Sequence, residues 1–336
     1  MILCISHTQD FYTIDLVMEH LLKIGKVPIR LNTDDFTNNI RFEYRIEDAV
    51  PVLNIHTDSS SFSVKDIEAV WYRKLWDLNN PEELDAQFIP IFHQEYMTMR
   101  TILFNALEHV PWMNPILIDH KVSNDKLLQL TVASNCGLTI PESIFTNDAK
   151  QVHSFFYAEC GGNMIAKLHG SLSRSMNGDT PFFPTTRITE QNLEELDSLV
   201  YCPMIFQRMI DKAYELRIIY VDGQFFTGKV NVNESQKGAT DWRIATDIMF
   251  EWESYTLPKN IEISLTNMMQ IHGLSFGAID MIRETNGNYT FLEVNPQGEW
   301  GMLQRDLNYP IAQTIAEKLN DRINTPKKQS HLAAII

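Results

Sequence analysis

The stretch FLEVNPQGEW, residues 291–300, joins an apolar strand pattern to polar side chains at the point where the strand must end. Glu293 and Asn295 stand two residues apart among its apolar residues. Residues two apart on a strand point to the same side of the sheet, so a carboxylate and a carboxamide are expected side by side. Pro296 and Gly298 then terminate the strand.

The preceding residues complete a hairpin, GAIDMIRETNGNYTFLEVNP (277–296). Its Asn-Gly-Asn sequence predicts the turn. Cross-strand neighbours on one face come within about 5 Å, so Asp280 is expected to meet Glu293 and Asn295. Two carboxylates and a carboxamide oxygen are typical ligands of Mg²⁺. Taken alone, the three side chains are equally compatible with the polar face of a half-exposed hairpin.

The length, charge and composition of the chain exclude some classes of function. The chain has 336 residues, 28 Lys and Arg against 43 Asp and Glu, and a net charge of −15. Binding to nucleic acid depends on neutralising phosphates, so we expect no nucleic-acid partner. No apolar stretch is long enough to span a membrane, and the N-terminus lacks the pattern of a signal peptide. The four cysteines have no zinc or redox spacing, which favours reduced thiols in a cytoplasmic protein.

The first 118 residues predict an α/β domain. Strands are expected at 2–6, 27–31 and 68–76, a hairpin at 42–56, and helices at 13–24 and 82–107. The first strand is not followed by a G-x-G-x-x-G motif, so this is not a dinucleotide-binding domain of that type.

A central domain is predicted over residues 119–201. A helix is expected within residues 123–141, capped by Ser123 or Asn124 and ended by Gly137. Its apolar face would carry Leu127, Leu130 and Ser134. A strand with Lys167 and a loop rich in Ser and Gly, residues 169–183, follow.

Residues 202–325 predict a third, antiparallel β domain with helices at 259–272 and 310–323, and residues 326–336 a tail. Lys126 and Lys167 are candidates for binding an anion, and Arg217 and Arg243 for binding phosphate or carboxylate. Lys167 alone could be an edge-strand lysine that reaches solvent, and either arginine alone a surface ion-pair partner.

The ordered set NDKLLQL, AKL with its Gly/Ser loop, FQRMI, ELR, DWR, GAIDMI and FLEVNP resembles the ATP-grasp ligases. In the first domain SHTQDFYTIDLV, RLNTDDF and AVWYRKLW resemble the graspetide macrocyclases of microviridin-type biosynthesis. The resemblance covers almost the whole chain. It implies an ATP-grasp fold with an N-terminal α/β domain, a central lid domain and a C-terminal antiparallel-sheet domain.

The resemblance also implies a role for each candidate residue. Lys126 and Lys167 would hold ATP phosphates, and Glu215 the ribose. Arg217 and Arg243 would face the transferred phosphoryl group. The residues expected to contact adenine through the backbone are Gln207, Arg208, Met209 and Ile210. The expected Mg²⁺ ligands are Asp280, Glu293 and Asn295. Related ligases often carry Glu where this chain has Arg208, so the adenine assignment depends on main-chain contacts.

The function implied is ATP-dependent macrocyclisation of a ribosomally made precursor peptide with a leader and an acidic, Thr- and Ser-containing core. Asp or Glu side chains would be joined to hydroxyls as esters or to Lys amines as amides. The alternatives are a ligase that adds amino acids to a protein terminus or a small metabolite, and a nucleotide-binding module without catalysis. A homodimer is implied by resemblance alone, and leader docking near Phe182 and Phe183 is a hypothesis.

Overall fold

A computed structural model of the protein describes residues 1–57, 60–76, 78–169, 185–231 and 251–324. The chain divides into two compact units. One comprises Met1–Ile116 and the segment from Pro310 onward, and the other Leu117–Tyr309. The predicted boundary between a central lid domain and a C-terminal domain, near residue 201, stays a prediction.

The first unit contains a small parallel sheet. Its strands are β1 (Ile2–Ser6), β2 (Pro28–Asn32) and β6 (Ala69–Tyr72), in the order β2-β1-β6. Every residue of β1 and β6 is buried, as is typical of parallel strands covered on both faces. Helix α1 (Thr13–Lys23) joins β1 to β2 and buries Ile14, Val17 and Leu21, which recur at helical spacing.

The rest of this unit is an antiparallel sheet and two further helices. The sheet contains β3 (Ile40–Glu47), β4 (Val50–Thr57) and β5 (Ser61–Ser63). Asp48 and Ala49 turn the first hairpin with positive φ angles of 48° and 65°. Helix α2 (Ile89–Ala106) follows, and α9 (Ile311–Asn324) packs on α1. The predicted strands, hairpin and helices of this region are therefore confirmed, with ends shifted by a few residues, by up to seven at the start of α2.

Buried polar side chains collect where β1 ends. Asp10 accepts hydrogen bonds from Ser6 Oγ at 2.6 Å and Thr13 Oγ1 at 2.8 Å. His7 stacks on Trp76 with ring centroids 3.7 Å apart, and its Nδ1 accepts from the backbone N–H of Gln9 at 3.2 Å. Burial lowers the pKa of His7 to about 4, an effect that Asp10 and Asp34 oppose and Lys74 and Arg73 reinforce. His7 is therefore neutral at pH 7.

This geometry predicts that acid destabilises the first unit. An unfolded His7 takes up a proton below about pH 6.5, whereas the folded one resists protonation until about pH 4. The free energy of unfolding should fall by about 1 to 2 kcal/mol between pH 7.5 and pH 5 through this group. Urea titrations at both pH values should show the loss in the wild type and a smaller one in His7→Gln. The exposed His109 supplies the control, because His109→Gln should keep the full dependence.

The second unit begins with two short helices in place of the single predicted one. Helix α3 (Ile116–Asn124) ends where α4 (Lys126–Asn135) begins, and Asp125 caps α4 by accepting from Leu128 N at 2.8 Å. The prediction of a cap at Ser123 or Asn124 was wrong, because the Asp125 carboxylate accepts from a free N–H group in the first turn of α4. Gly137, with φ of 83°, follows the end of α4 as expected.

The predicted apolar face of this helix was also wrong. Leu127 is 57% exposed and Ser134 is exposed, whereas Leu130 is buried. The buried face instead carries two polar residues, Lys126 and Gln129. Polar groups on a buried face require partners, and those partners lie in the candidate site described below.

Two antiparallel sheets make up the rest of the second unit. The four-stranded sheet has the order β7-β10-β8-β9. Its strands are β7 (Ser143–Thr146), β8 (Met164–Lys167), β9 (Thr186–Ile188) and β10 (Met204–Arg208). Helices α5 (Ala149–Ala158) and α6 (Glu190–Leu193) accompany it.

The five-stranded sheet has the order β13-β12-β11-β14-β15. Its strands are β11 (Lys212–Val221), β12 (Gln224–Val230), β13 (Glu253–Ser254), β14 (Phe276–Glu284) and β15 (Tyr289–Asn295). Helix α7 (Lys259–His272) has the predicted bounds, and α8 (Gly301–Leu307) follows β15. One apolar cluster joins residues of this sheet to residues of α4 and α7. The α/β class, the antiparallel C-terminal part and the β14–β15 hairpin are confirmed.

None of the helices described is long and apolar enough to cross a membrane. The four cysteines are free thiols; Cys4 and Cys160 are buried, Cys136 is half-buried and Cys202 is exposed.

Candidate active site

Candidate residues on three neighbouring strands form a polar row. Arg217 on β11 is the Cα partner of Asp280 on β14, and Asp280 is the Cα partner of Glu293 on β15. Opposed residues of antiparallel strands share a face, so a guanidinium and two carboxylates lie in line. Asn295 follows two residues after Glu293 and donates to it, Nδ2 to Oε1, at 3.0 Å. The structure thus brings together all three predicted metal ligands and one predicted arginine.

The charged side chains of this row form ion pairs. Arg217 Nη1 lies 2.8 and 2.9 Å from the two oxygens of Asp280. Lys126 Nζ lies 2.6 Å from Glu293 Oε2, although the two residues are 167 positions apart in sequence. Lys126 is only 8% exposed, so the carboxylate compensates a charge that would be costly to bury alone. A predicted phosphate-binding lysine therefore lies directly beside a predicted metal ligand.

Gln129 explains how Lys126 reaches the sheet. Its side chain is fully buried and bonds both backbone groups of Val294, donating to the carbonyl at 3.0 Å and accepting from the N–H at 2.9 Å. It also donates to the carbonyl of Val122 at 2.8 Å. Val294 is on the edge strand, so Gln129 supplies the bonds that a further strand would make. Since Lys126 lies one turn away on α4, this contact places it at Glu293.

Gln129→Leu should therefore destabilise the second unit. The change leaves the two backbone groups of Val294 and the carbonyl of Val122 without their partner in a buried place. We expect a loss of about 2 to 4 kcal/mol in the free energy of unfolding, measured by urea titration. Gln151→Leu, at an exposed position of α5, is the matched control and should change stability by less than about 0.5 kcal/mol.

Lys212 contacts a predicted site residue, and this contact was not identified from the sequence. Its side chain is 8% exposed and pairs with Glu215, the residue expected at the ribose. A β irregularity between Lys212 and Tyr214 accompanies this pair. The sequence DKAYELR placed a lysine three residues before Glu215, but spacing on a strand did not predict the contact, because residues three apart normally face opposite sides.

The predicted adenine-binding residues, 207–210, lie at the end of β10, an inner strand of the four-stranded sheet. Gln207 is 1% exposed and its side chain donates to Ser143 Oγ at 2.8 Å, so that side chain supports the sheet. The N–H groups of Arg208 and Met209 donate to Glu142 and Asn163 carbonyls at 3.0 and 2.9 Å. The Arg208 side chain is exposed and lies 3.4 Å from Glu142. It is therefore directed at a surface carboxylate.

One other predicted residue, Lys167, lies away from the row. Lys167 is on β8, where its Cα partner is Ile205 of β10, and thus belongs to the four-stranded sheet. Arg243 lies outside the described residues, as do Phe182 and Phe183 and most of the Gly/Ser loop. Trp300, which the sequence left open as either core or acceptor-facing, is fully buried.

The donor set at the end of β15 fits Mg²⁺ in combination with phosphate. Among the residues described, no group of three His, Cys, Asp or Glu side chains could hold a metal alone. Mg²⁺ usually takes one or two protein carboxylates and completes its shell with substrate phosphates and water. Asp280 and Glu293 would supply the carboxylates, and a turn of the Asn295 amide would present its oxygen to the same space.

Comparisons with known proteins identify the family of the chain. The family model of the MvdD pre-ATP grasp domain matches residues 1–120. The macrocyclase MdnC of Microcystis aeruginosa MRC, solved with precursor peptide MdnA, is 31% identical over 95% of this chain and 98% of its own, with a TM-score of 0.83. The macrocyclase MdnB of the same organism is 34% identical over the same shares, with a TM-score of 0.79.

A third solved structure is a RiPP-associated ATP-grasp ligase of Chryseobacterium gregarium in complex with ADP and a leader and core peptide. It is 29% identical over 98% of this chain and 99% of its own, with a TM-score of 0.87. No curated protein sequence matches. Identity above 30% over nearly the full length shows the family: the chain belongs to the graspetide-type ATP-grasp ligases, which are ADP-forming enzymes.

Proposed function

We propose that this protein is an ATP-dependent macrocyclase of a ribosomally made precursor peptide. One observation carries the proposal: Arg217, Asp280, Glu293 and Lys126 converge at the end of β15, where two carboxylates for Mg²⁺ adjoin two cations for phosphate. The relatives whose structures include precursor, leader or core peptides support the choice of a peptide as acceptor.

Each candidate residue would have the following role. Lys126 and Lys167 hold ATP phosphates, and Glu215 accepts hydrogen bonds from the ribose. Adenine contacts fall on the backbone of residues 207–210, chiefly beyond the strand end at Ile210, because the N–H groups of Arg208 and Met209 and the Gln207 side chain already have protein partners. Asp280, Glu293 and Asn295 bind Mg²⁺, and Arg217 and Arg243 stabilise the transferred group.

The chemistry requires such a set of charges. A carboxylate is a poor electrophile, and transfer of the γ-phosphoryl group of ATP to an Asp or Glu side chain gives an acyl phosphate and ADP. A Thr or Ser hydroxyl, or a Lys amine, then attacks the acyl carbon; phosphate leaves and an ω-ester or ω-amide forms. Phosphoryl transfer depends on positioning and charge neutralisation. The bound Mg²⁺ would supply Lewis-acid neutralisation of the phosphates.

The experiment is mass spectrometry of precursor peptides after incubation with the protein, ATP and Mg²⁺. Each peptide has a leader and an acidic core containing Thr, Ser and Lys. The expected result is loss of one water mass per bond, dependent on ATP, with ADP released in equal number. Mild alkaline hydrolysis then separates esters from amides.

Two controls make this assay decisive. A core with every Asp and Glu replaced by Asn and Gln should keep its mass. Removal of the leader should abolish turnover if the peptide is recognised outside the cleft. A mass gain matching an added amino acid would instead support the alternative ligase reading, and ATP binding without ADP formation for any peptide would contradict both enzymatic readings.

A further inference from the structure

The guanidinium of Arg217 is held from two sides. Its Nη1 contacts both oxygens of Asp280, and its Nε and Nη2 donate to the backbone carbonyl of Glu299 at 3.3 and 3.0 Å. Glu299 belongs to the turn that follows β15. An arginine has five N–H donors in a rigid plane, so contacts on two of its edges fix the plane as well as the position.

The turn can reach Arg217 because residue 298 is glycine. A Cβ on Gly298 would lie 2.9 Å from Arg217 Nη2, 2.3 Å from Ala278 Cβ and 3.1 Å from the Asn295 carbonyl oxygen. The φ angle of Gly298 is not positive, so the requirement is for space rather than for backbone freedom. A side chain at this position would require the sheet residue Ala278, the guanidinium or the turn itself to shift.

A second glycine allows the same close approach on the other side of the arginine. Gly228 on β12 is the Cα partner of Arg217, and a Cβ there would lie 2.5 Å from Leu303 and 2.8 Å from Trp252. Leu303 is on α8, the helix that follows the turn. The fully buried Trp300 immediately precedes this helix, and its carbonyl accepts from Leu303 N at 3.0 Å. Buried anchors thus fix residues 298–303 on the face of the sheet that carries Arg217.

We propose that residues 298–303 are a positioning element for Arg217: they set the orientation of its guanidinium through the Glu299 carbonyl, and Gly298 and Gly228 are the residues that permit the contact. The catalytic consequence rests on the role of Arg217 in the proposed function. Misplacing a catalytic group by about 1 Å can lower turnover on the order of 100-fold, so a change at Gly298 should act on rate more than on binding.

The first test observes the arginine directly and does not depend on any substrate. In protein labelled with ¹⁵N-arginine, the Nε–H signal of Arg217 is identified by its disappearance in Arg217→Lys. We expect a dispersed, slowly exchanging signal in the wild type. Gly298→Ala should shift this signal and speed its exchange with water. Gly223→Ala, at the positive φ of 92° in the β11–β12 turn, is the destabilising control and should leave the signal unchanged.

The second test separates positioning from stability. Gly298→Ala should lower kcat for the precursor peptide about 10- to 100-fold with little change in the KM for ATP. Adding Ala278→Gly removes the tightest clash but leaves the one with Arg217. The double variant should therefore regain thermal stability while kcat stays low. It also serves as the test if Gly298→Ala alone fails to fold.

Four outcomes decide the matter. An unchanged Arg217 signal in Gly298→Ala would overturn the proposal, and so would full recovery of kcat together with stability in the double variant. A shifted signal with lowered kcat supports it. If the signal shifts but Arg217→Lys itself turns over normally, the positioning stands and the assignment of Arg217 in the proposed function fails.

Discussion

Glu293→Gln should abolish turnover while the protein stays folded. The substitution keeps the size of the side chain and an oxygen that Lys126 can donate to, but it removes one of the two carboxylates at the expected Mg²⁺ site. Loss even of groups that only support metal ligands costs about 10- to 100-fold, so loss of a ligand charge should cost at least about 100-fold in kcat/KM. The measurement is ADP release with the precursor peptide, over a Mg²⁺ titration.

The fold should tolerate this change at a moderate cost. Lys126 is nearly buried, so removing its counter-charge is expected to cost about 1 to 3 kcal/mol, less than deletion of the partner would. Lys126→Met/Glu293→Gln removes both charges and restores stability without restoring turnover. Glu284→Gln, at the opposite end of the same hairpin, is the matched control and should keep full activity. Normal turnover in Glu293→Gln would remove Glu293 from the site.

The sequence was most informative where local rules determine the contact. The Asn-Gly-Asn turn predicts the β14–β15 hairpin, and a shift of register between Asp280 and Met281 places Asp280 opposite Glu293. Alternation along β15 then places Asn295 on the same side. Each step depends on residues within about 20 positions, but the sequence did not predict the register shift that brings Asp280 opposite Glu293 instead of Leu292.

Such local rules did not predict contacts between segments that are distant in sequence. Nothing local predicts that Lys126 pairs with Glu293, or that Gln129 substitutes for a neighbouring strand at Val294. The wrong apolar face of α4 has the same origin, because periodicity treats buried polar residues as exposed ones. Gln129 could have been noticed only as a polar residue one turn from Lys126.

The break between α3 and α4 shows a different limit. Asp125 is a good capping residue with helical residues on both sides, and either a continuous or a broken helix satisfies the apolar pattern. The packing of α3 and α4 against the five-stranded sheet selects the broken helix over the continuous one. The break matters for the site, since it makes Lys126 the first residue of a helix whose N-terminus favours anions.

Arg217→Lys should lower kcat about 100- to 1,000-fold, the cost of removing one preorganised donor of charge stabilisation. Lysine keeps the positive charge but has a single ammonium group, which cannot contact Asp280 and the Glu299 carbonyl in the plane that the guanidinium occupies. The KM for ATP should change much less, because Lys126 and Lys167 are expected to hold the nucleotide. Steady-state ADP release at saturating peptide separates the two effects.

The matched control for this change is Arg283→Lys, on the same strand as Asp280. Arg283 lies over the Tyr289 ring at 4.4 Å, three residues along β14 from Asp280 and toward the turn, so its replacement should lower stability slightly and leave kcat unchanged. If Arg217→Lys and Arg283→Lys lose activity equally, the loss reflects the fold and not the site. If only Arg217→Lys loses it, the planar geometry of the guanidinium is what the reaction requires, since charge is the same in both proteins.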